Sequence, residues 1–247
     1  MVILTSYTIR TTLVTDRPNP LAENLERVRR RMAEAARQAG RRPDEVFLVA
    51  VSKTVDPARI LEALRCGVLA LGENRVQEAR DKWPVLEAEM RRRGAEFHLV
   101  GHLQTNKAKD AVRLFDLIQS LDSERLAVEL DRRAAEIGKV QRVLIEVNTS
   151  GELTKFGVEP GEAALLIETV RSLKALQLEG LMTIGPLGGG PEAARRAFRT
   201  LRELREANGG PARLPVLSMG MTQDFEAAIA EGATMIRVGT ALFGDRG

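Results

Sequence analysis

A lysine directly after an apolar run is the residue with the strongest chemical signal in this chain. Residues 46–51 (VFLVAV) are all apolar, and Ser52 and Lys53 follow them. Desolvation at the end of such a run lowers the pKa of the lysine ammonium group, so more of the lysine is present as the neutral, nucleophilic amine. Schiff-base formation with a carbonyl compound needs that amine. The alternative is a structural lysine that pairs with an acid or extends its amine into water.

Two glycine-containing turns near the C-terminus are candidates for binding an anion. The first contains Ser218 and Gly220, and the second contains Gly239 and Thr240. Backbone N–H groups in such turns bind phosphate, aided by the dipole of a following helix. The alternative is that both glycines only permit tight turns. Arg237 precedes the second turn within an apolar run, so its charge needs either an acidic partner or a ligand atom.

Other polar residues at the ends of apolar runs carry weaker signals. Asn74 follows the run at 68–71 and fits an ordinary helix cap as well as a ligand site. His98 and His102 have no acidic partner at metal-ligand spacing, so no metal site is predicted. A polar loop begins at Glu146, and the sequence assigns it no role.

An alternation of strands and helices must position these residues. Uniformly apolar runs are typical of parallel strands buried on both faces. Helical periodicity separates these runs, and the first such helix begins at Asp56 and ends at Gly67. The predicted strands lie near 46–52, 68–71, 96–100, 115–119, 141–147, 178–183, 214–218 and 234–238. The further predicted helices lie near 74–92, 104–112, 123–137, 160–173, 191–207 and 223–230.

Eight strand–helix units predict an α/β fold, a single (β/α)8 TIM barrel with an additional N-terminal helix. An open doubly wound sheet is the alternative, although it often has fewer strands. The additional helix begins at Asn19 as N-cap and Pro20 as first residue, and Gly40 ends it. We predict two parts of the chain, an extension at 1–18 and one barrel domain at 19–247.

The barrel fold relates the separate signals to one another. Active sites in this fold lie at the C-terminal ends of the strands, and phosphate sites commonly follow strands 7 and 8. Lys53 ends predicted strand 1, while the two glycine turns end predicted strands 7 and 8. The position of the lysine and the position of the turns therefore predict one shared site.

Composition argues against several functional classes. The chain has 30 arginines and seven lysines, but its net charge is only +3 and both signs are interspersed, which argues against a nucleic-acid surface. Cys66 is the only cysteine, so neither an intramolecular disulfide nor a cysteine metal cluster is expected. No apolar run approaches the roughly 18 residues of a membrane span. We expect a cytoplasmic protein without a signal peptide.

Several segments together resemble the pyridoxal phosphate homeostasis protein family, the one-domain relatives of alanine racemase. The resemblance covers roughly residues 20–246 and implies a pyridoxal 5′-phosphate cofactor. The matching segments are LVAVSKT (48–54), GENRVQEARDKW (72–83), FHLVGHLQTNK (97–107), VLIEVNTSGELTKFG (143–157), GLMTI (180–184) and LSMGMTQDFEAAIAEGATMIRVGTALFG (217–244). The cofactor-binding residues that the resemblance implies are Lys53 for the Schiff base, Asn74 near the cofactor, Ser218, Gly220, Gly239 and Thr240 for the phosphate, and Arg237 for the pyridine nitrogen.

Three functional hypotheses follow, and the sequence favours the first. The first is a carrier that stores, buffers or delivers pyridoxal phosphate, with apo forms of pyridoxal-phosphate enzymes as candidate recipients. The second is an amino-acid racemase, for which the resemblance to alanine racemase implies a second base, a tyrosine from an additional β domain. The chain ends soon after strand 8 and its only tyrosine is Tyr7, so inefficient catalysis is expected. The third, an aldolase-like barrel with a Schiff-base lysine but no cofactor, is disfavoured.

Overall fold

Eight parallel strands pair in chain order, and β8 pairs with β1 to close a barrel. The computed structural model describes residues 19–152, 154–186 and 188–244. The predicted barrel is therefore confirmed, whereas the predicted extension at 1–18 lies outside the described residues. The strands are β1 (Phe47–Val51), β2 (Ala70–Glu73), β3 (Glu96–Leu99), β4 (Leu117–Leu121), β5 (Gln141–Glu146), β6 (Leu176–Met182), β7 (Val216–Ser218) and β8 (Met235–Val238).

Helices connect the strands and cover the outside of the barrel. Their ends differ from the predicted ones by a few residues, and short 3-10 turns precede two of them, at 105–107 and 160–162. The helices are α1 (Pro20–Gln38), α2 (Pro57–Arg65), α3 (Val76–Arg93), α4 (Ala108–Leu114), α5 (Glu124–Glu136), α6 (Ala163–Ser172), α7 (Gly190–Ala207), α8 (Gly210–Arg213), α9 (Phe225–Ala230) and α10 (Thr240–Phe243).

The additional N-terminal helix forms as its sequence predicts. The Asn19 side chain accepts hydrogen bonds from the backbone N–H groups of Leu21 and Ala22 at 3.0 and 3.2 Å. The apolar face of α1 is buried, and Asn24 donates a hydrogen bond to the carbonyl oxygen of Leu242 at 3.0 Å. Because α1 packs against α9 and α10, it joins the start of the barrel domain to its last strand–helix units.

Alternation along β1 decides which side chains enter the barrel. Phe47, Val49 and Val51 belong to the small apolar cluster inside the ring, whereas Leu48 and Ala50 pack toward the helices. Successive side chains of a strand point to opposite faces. Lys53 lies two residues past Val51, in the turn beyond β1 at the open C-terminal end of the barrel.

Strand 2 begins and ends two residues later than its apolar pattern predicts. The prediction stopped at Leu71 because Gly72 and Glu73 are not apolar, yet both belong to β2 and both are buried. Glu73 is tolerated there because Lys82 from α3 pairs with it at 2.8 Å on the helix side of the sheet. A buried charge with a partner from another element is not visible in a local apolar pattern.

The described segments contain no helix that is long and apolar enough to cross a membrane. Within the same segments, no three His, Cys, Asp or Glu side chains are grouped so that they could hold a metal ion.

Candidate functional site

Lys53 and the second glycine turn line the same cleft at the C-terminal end of the barrel. The cleft has a volume of about 240 Å³, and Thr54, Gly239 and Thr240 are among its other lining residues. Within the described part of the chain, the Lys53 amine has neither a hydrogen-bond partner nor an ion-pair partner. The alternative of a structural salt bridge is therefore not supported.

Lys53 is only partly desolvated. Its side chain is partly exposed, because β1 ends at Val51 and Lys53 lies in the turn beyond the strand rather than inside the sheet. The amine thus reaches the cleft from the rim of the barrel. Its reactivity must be set by what holds this turn and by what occupies the cleft, rather than by deep burial.

The turn after β8 brings backbone close to the lysine side of the cleft. A Cβ atom on Gly239 would lie 3.3 Å from the carbonyl oxygen of Val51, so a side chain there would press on β1. Thr240 begins α10, and the first N–H groups of a helix have no carbonyl partner within it. This turn therefore presents backbone donors beside Lys53.

The turn after β7 has a structural reason for its glycine. Gly220 has φ +92°, and a Cβ atom there would lie 2.6 Å from the Cβ atom of Ala228 and 2.9 Å from the Cα atom of Phe225. Its carbonyl oxygen also accepts a hydrogen bond from the backbone N–H of Arg237 at 3.0 Å. Close packing against α9 accounts for Gly220 whether or not this turn touches a ligand.

Arg237 is a buried cation that the structure holds with neutral groups. Its side chain is 4% exposed, and it donates to Ser218 Oγ at 2.6 Å and to the carbonyl oxygen of Thr183 at 2.7 Å. Burial lowers the pKa of Arg237 to about 10, although Glu146 and Asp224 oppose this change through their charges. With this pKa the guanidinium remains charged near neutral pH. No carboxylate of the described residues lies within ion-pair distance, so it has no direct counter-ion among them.

Ser218 supports Arg237 from within the barrel. Its hydroxyl accepts from Arg237 and donates its only hydrogen to Gln119 Oε1 at 2.7 Å. A hydrogen bond from this hydroxyl to a phosphate would require the bond to Gln119 to open, because a serine hydroxyl has one hydrogen to donate.

A chain of buried polar groups continues from Ser218 to the opposite end of the barrel. Gln119 Nε2 lies 3.0 Å from His98 Nδ1, and His98 Nε2 lies 2.7 Å from Glu96 Oε2. With Gln119 Oε1 accepting from Ser218, its amide group donates to His98 Nδ1, which leaves Nε2–H of His98 to donate to Glu96. His98 is therefore a packed, hydrogen-bonded residue of the barrel interior.

Glu146 is a site residue to which the sequence assigned no role. Its side chain lies at the C-terminal end of β5, is 4% exposed, and makes no hydrogen bond or ion pair among residues 19–152, 154–186 and 188–244. Burial, together with the charge of Asp122, raises the pKa of Glu146 to about 7, although the charge of Arg237 opposes this change. The available signal was position, because Glu146 follows Leu144 on the inward face of a barrel strand.

The remaining predicted site residue lies on another side of the barrel mouth. Asn74 is partly exposed and lines a second cleft together with His102. The cap alternative is wrong, since Arg75 is the N-cap of α3 and no side chain caps that helix. His102 contacts Asp122 at 3.2 Å and stacks on Phe156 with ring centroids 3.7 Å apart.

Comparison with known proteins places the fold and the sequence motifs in one family. A family model described as alanine racemase, N-terminal domain, matches residues 22–247. The pyridoxal phosphate homeostasis protein of Aquifex aeolicus is 46% identical over 226 residues, which are 91% of this chain and 97% of that protein. The protein of the same name from Escherichia coli K12 is 41% identical over 92% of this chain and 97% of its own length.

Solved structures resemble this chain at two levels of sequence identity. PipY of Synechococcus elongatus, solved with PLP bound, is 38% identical with a TM-score of 0.76, covering 91% of this chain and all of PipY. Alanine racemase of Clostridium difficile is 17% identical with a TM-score of 0.68 over 92% of this chain and 57% of that one, a similarity of fold alone. The chain therefore belongs to the pyridoxal phosphate homeostasis protein family, whose barrel is the alanine racemase N-terminal domain.

Proposed function

We propose that this protein binds pyridoxal 5′-phosphate covalently at Lys53 and acts in the intracellular homeostasis of that cofactor, by storage, buffering or delivery. The observation that carries the proposal is the free amine of Lys53 in a cleft that also presents the backbone of Gly239 and Thr240. The PLP-bound structure of PipY and the names of the curated relatives support the choice of cofactor.

The residues at the barrel mouth fit such a ligand. When bound, pyridoxal 5′-phosphate supplies an aldehyde that condenses with a lysine amine and releases water. Lys53 provides the amine, and the turns that contain Gly220, Gly239 and Thr240 provide backbone N–H groups for the phosphate. Arg237 provides a fixed cation, which disfavours protonation of an adjacent ring nitrogen.

Two further predicted residues complete the proposed site. Asn74 lines the second cleft, and the family resemblance assigns its amide, which can donate and accept hydrogen bonds, to the surroundings of the cofactor. Ser218 holds the Arg237 guanidinium through its hydroxyl. We also propose that residues 19–247 form the cofactor-binding domain.

An amino-acid racemase is the second candidate, and Glu146 is the observation that favours it. Racemisation needs proton-transfer groups on both faces of a substrate carbon. His98 is engaged inside the barrel, and His102 is stacked and paired, whereas Glu146 is unpartnered with a pKa near 7. The carrier function remains our proposal, because one buried carboxyl does not substitute for the positioned tyrosine that the resemblance to alanine racemase implies as the second base.

Mapping the covalent adduct tests the proposal. The purified protein is loaded with pyridoxal phosphate, reduced with borohydride and digested, and the modified peptide is identified by mass spectrometry. We expect the label on Lys53 and its loss in Lys53→Ala. Lys155→Ala is the matched control, because Lys155 also lies near the barrel mouth but donates to the carbonyl oxygen of Gly185 and pairs with Glu152. A label mainly on Lys155 would overturn the assignment.

Two activity assays separate the carrier from the racemase. The loaded protein is incubated with each L-amino acid in deuterated water, and Cα exchange and the D-enantiomer are followed. We expect exchange to be slow or undetectable, whereas transfer of the cofactor to an apo-enzyme should restore that enzyme's activity and depend on Lys53 and Arg237. Enzymatic turnover of one amino acid, lost in both Lys53→Ala and Glu146→Gln, would instead establish the racemase.

A further inference from the structure

Three charged side chains form a compact cluster behind the turn that carries Lys53. We call Lys82, Glu73 and Glu78 the Lys82 cluster. Lys82 Nζ donates to Glu73 Oε1 at 2.8 Å, to Glu78 Oε1 at 2.7 Å and to the carbonyl oxygen of Ser52 at 2.7 Å. These three bonds use all three hydrogens of the ammonium group. Lys82 is therefore held as a charged donor and is not a competing nucleophile.

The Lys82 cluster holds the main chain on both sides of Lys53. On one side, Ser52 donates its hydroxyl to Glu73 Oε1 at 2.7 Å, and its carbonyl oxygen accepts from Lys82. On the other side, the backbone N–H of Thr54 donates to Glu78 Oε1 at 2.5 Å. The cluster thus fixes the residues immediately before and after Lys53, while Lys53 itself is left free.

The turn needs such support because its backbone is strained. Thr54 has φ +62°, and it is the one non-glycine residue with positive φ in the described part of the chain. For a β-branched residue this conformation is unfavourable, and strain of this kind persists only where the surroundings enforce it. The bond from Thr54 to Glu78 is one of the contacts that enforce it.

Stability alone does not explain the cluster. Glu73 is completely buried, its Oε2 atom has no hydrogen-bond partner, and burial raises the pKa of its carboxyl. Well-packed apolar side chains in place of buried charges are often as stable or more stable. A buried polar network is best explained here by the geometry that it imposes on its neighbours, Ser52 and Thr54.

We propose that the Lys82 cluster positions Lys53, holding the turn so that the amine is presented to the cleft. The inference rests on the proposed function. In the condensation, Lys53 Nζ forms a double bond to the aldehyde carbon; two hydrogens of the neutral amine and the aldehyde oxygen leave as one water. Attack on the carbonyl carbon requires a near-attack placement, which a turn free to relax loses.

A pair of ligands isolates positioning from general stability. Pyridoxal 5′-phosphate and 4′-deoxypyridoxine 5′-phosphate share the ring and the phosphate, but the second has no aldehyde and cannot attach to Lys53. In Lys82→Met, we expect affinity for pyridoxal phosphate to fall about tenfold or more, because a turn that adopts the competent arrangement only about a tenth of the time lowers the apparent affinity by that factor. Affinity for the deoxy analogue should stay within about twofold of the wild-type value, because that ligand does not use the Lys53 amine.

Lys139→Met is the matched control. Lys139 is also partly buried and donates to two carbonyl oxygens, those of Val112 at 2.8 Å and Phe115 at 2.7 Å, but it lies just before β5 at the opposite end of the barrel. It should lose stability without changing the affinity for either ligand. Glu78→Ala provides a second test at a less buried position, and it should reproduce the split between the two ligands by freeing Thr54.

The outcomes distinguish the inference from the proposed function. Equal affinity of wild type and Lys82→Met for pyridoxal phosphate, or equal weakening of both ligands, would overturn the positioning role. If Lys82→Met does not fold, the same criteria apply to Glu78→Ala. A wild-type protein that forms no adduct on Lys53 would overturn the proposed function instead.

Discussion

One strand of the barrel carries two charged residues that the structure treats in opposite ways. Arg142, Leu144 and Glu146 follow each other on the inward face of β5. At the N-terminal end, Arg142 pairs with Glu96 and with Glu179, both at 2.7 Å. At the C-terminal end, Glu146 makes no hydrogen bond or ion pair among the described residues.

The difference separates charge that holds the fold from charge that is available to a ligand. The N-terminal end keeps its ions permanently paired; His98 and Arg142 hold the pKa of Glu96 at about 2. At the C-terminal end, Lys53 and Glu146 have no partner among the described residues, and neutral groups hold Arg237. An unpaired buried charge costs folding free energy, so its retention at the mouth indicates a role other than stability.

Arg142→Met should give the largest loss of stability. Its loss leaves Glu96 and Glu179 close together without a cation. Because the side chains of Arg142 and Glu96 are 32% and 35% exposed, we expect a loss of about 2–3 kcal/mol, less than for a fully buried pair. The affinity for pyridoxal phosphate should not change. Chemical denaturation and a binding titration measure the two quantities.

Arg132→Met is the control for this substitution. Arg132 also pairs with two carboxylates, Glu129 and Glu136, but on the exposed surface of α5. Arg132→Met should cost much less stability, because water screens exposed ion pairs. A comparable loss from both variants, or a loss of cofactor affinity in Arg142→Met, would break the distinction between the two ends.

Glu146→Gln should stabilise the protein in a pH-dependent way. The folded-state pKa of about 7 lies above the ordinary value of 4.5, so the folded protein binds this proton more tightly than the unfolded chain. The penalty is absent below pH 4.5, grows as pH rises, and is complete above pH 7 at about 3 kcal/mol. We therefore expect a gain of about 2–3 kcal/mol at pH 8 and less than about 1 kcal/mol at pH 5.

Glu96→Gln provides the comparison from the other end of the barrel. Because the pKa of Glu96 is about 2, its carboxylate is ionised at both pH values, and its contribution is lost only as pH falls from about 4.5 through 2. The effect of Glu96→Gln on unfolding should therefore be the same at pH 5 and pH 8. An equally pH-independent effect of Glu146→Gln would contradict the raised pKa.

Ser218→Ala should have the smallest effect. It leaves Gln119 and Arg237 each without one buried partner, which costs about 1–2 kcal/mol of unfolding free energy. Because Arg237 loses one of the bonds that orient its guanidinium, we expect roughly tenfold weaker binding of pyridoxal phosphate, a change of about 1.4 kcal/mol. Pyridoxal without phosphate should weaken by the same factor. A larger loss for the phosphate ester would show that the hydroxyl leaves Gln119 and turns to the phosphate.

The sequence by itself determined the fold and the position of Lys53 at the mouth of the barrel. Continuous apolar runs and helical periodicity are both local patterns, so eight strand–helix units could be recognised without knowledge of their packing. The end of each strand then fixed where Lys53, Gly239 and Thr240 must lie. The same local patterns placed the ends of β2 incorrectly, because Glu73 is buried by a partner that lies nine residues away in α3.

Only the tertiary structure decided which polar groups are already paired and which are free. Arg142 and Glu146 look alike in sequence, as charged residues at either end of one apolar run. Their difference depends on Glu96 and Glu179, which are 46 and 37 residues distant from Arg142. Closing the barrel brings these carboxylates to one end of β5 and none of the described cations into ion-pair distance of Glu146 at the other. The charge state and availability of a side chain depend on neighbours across the ring, which a pattern read along the chain does not contain.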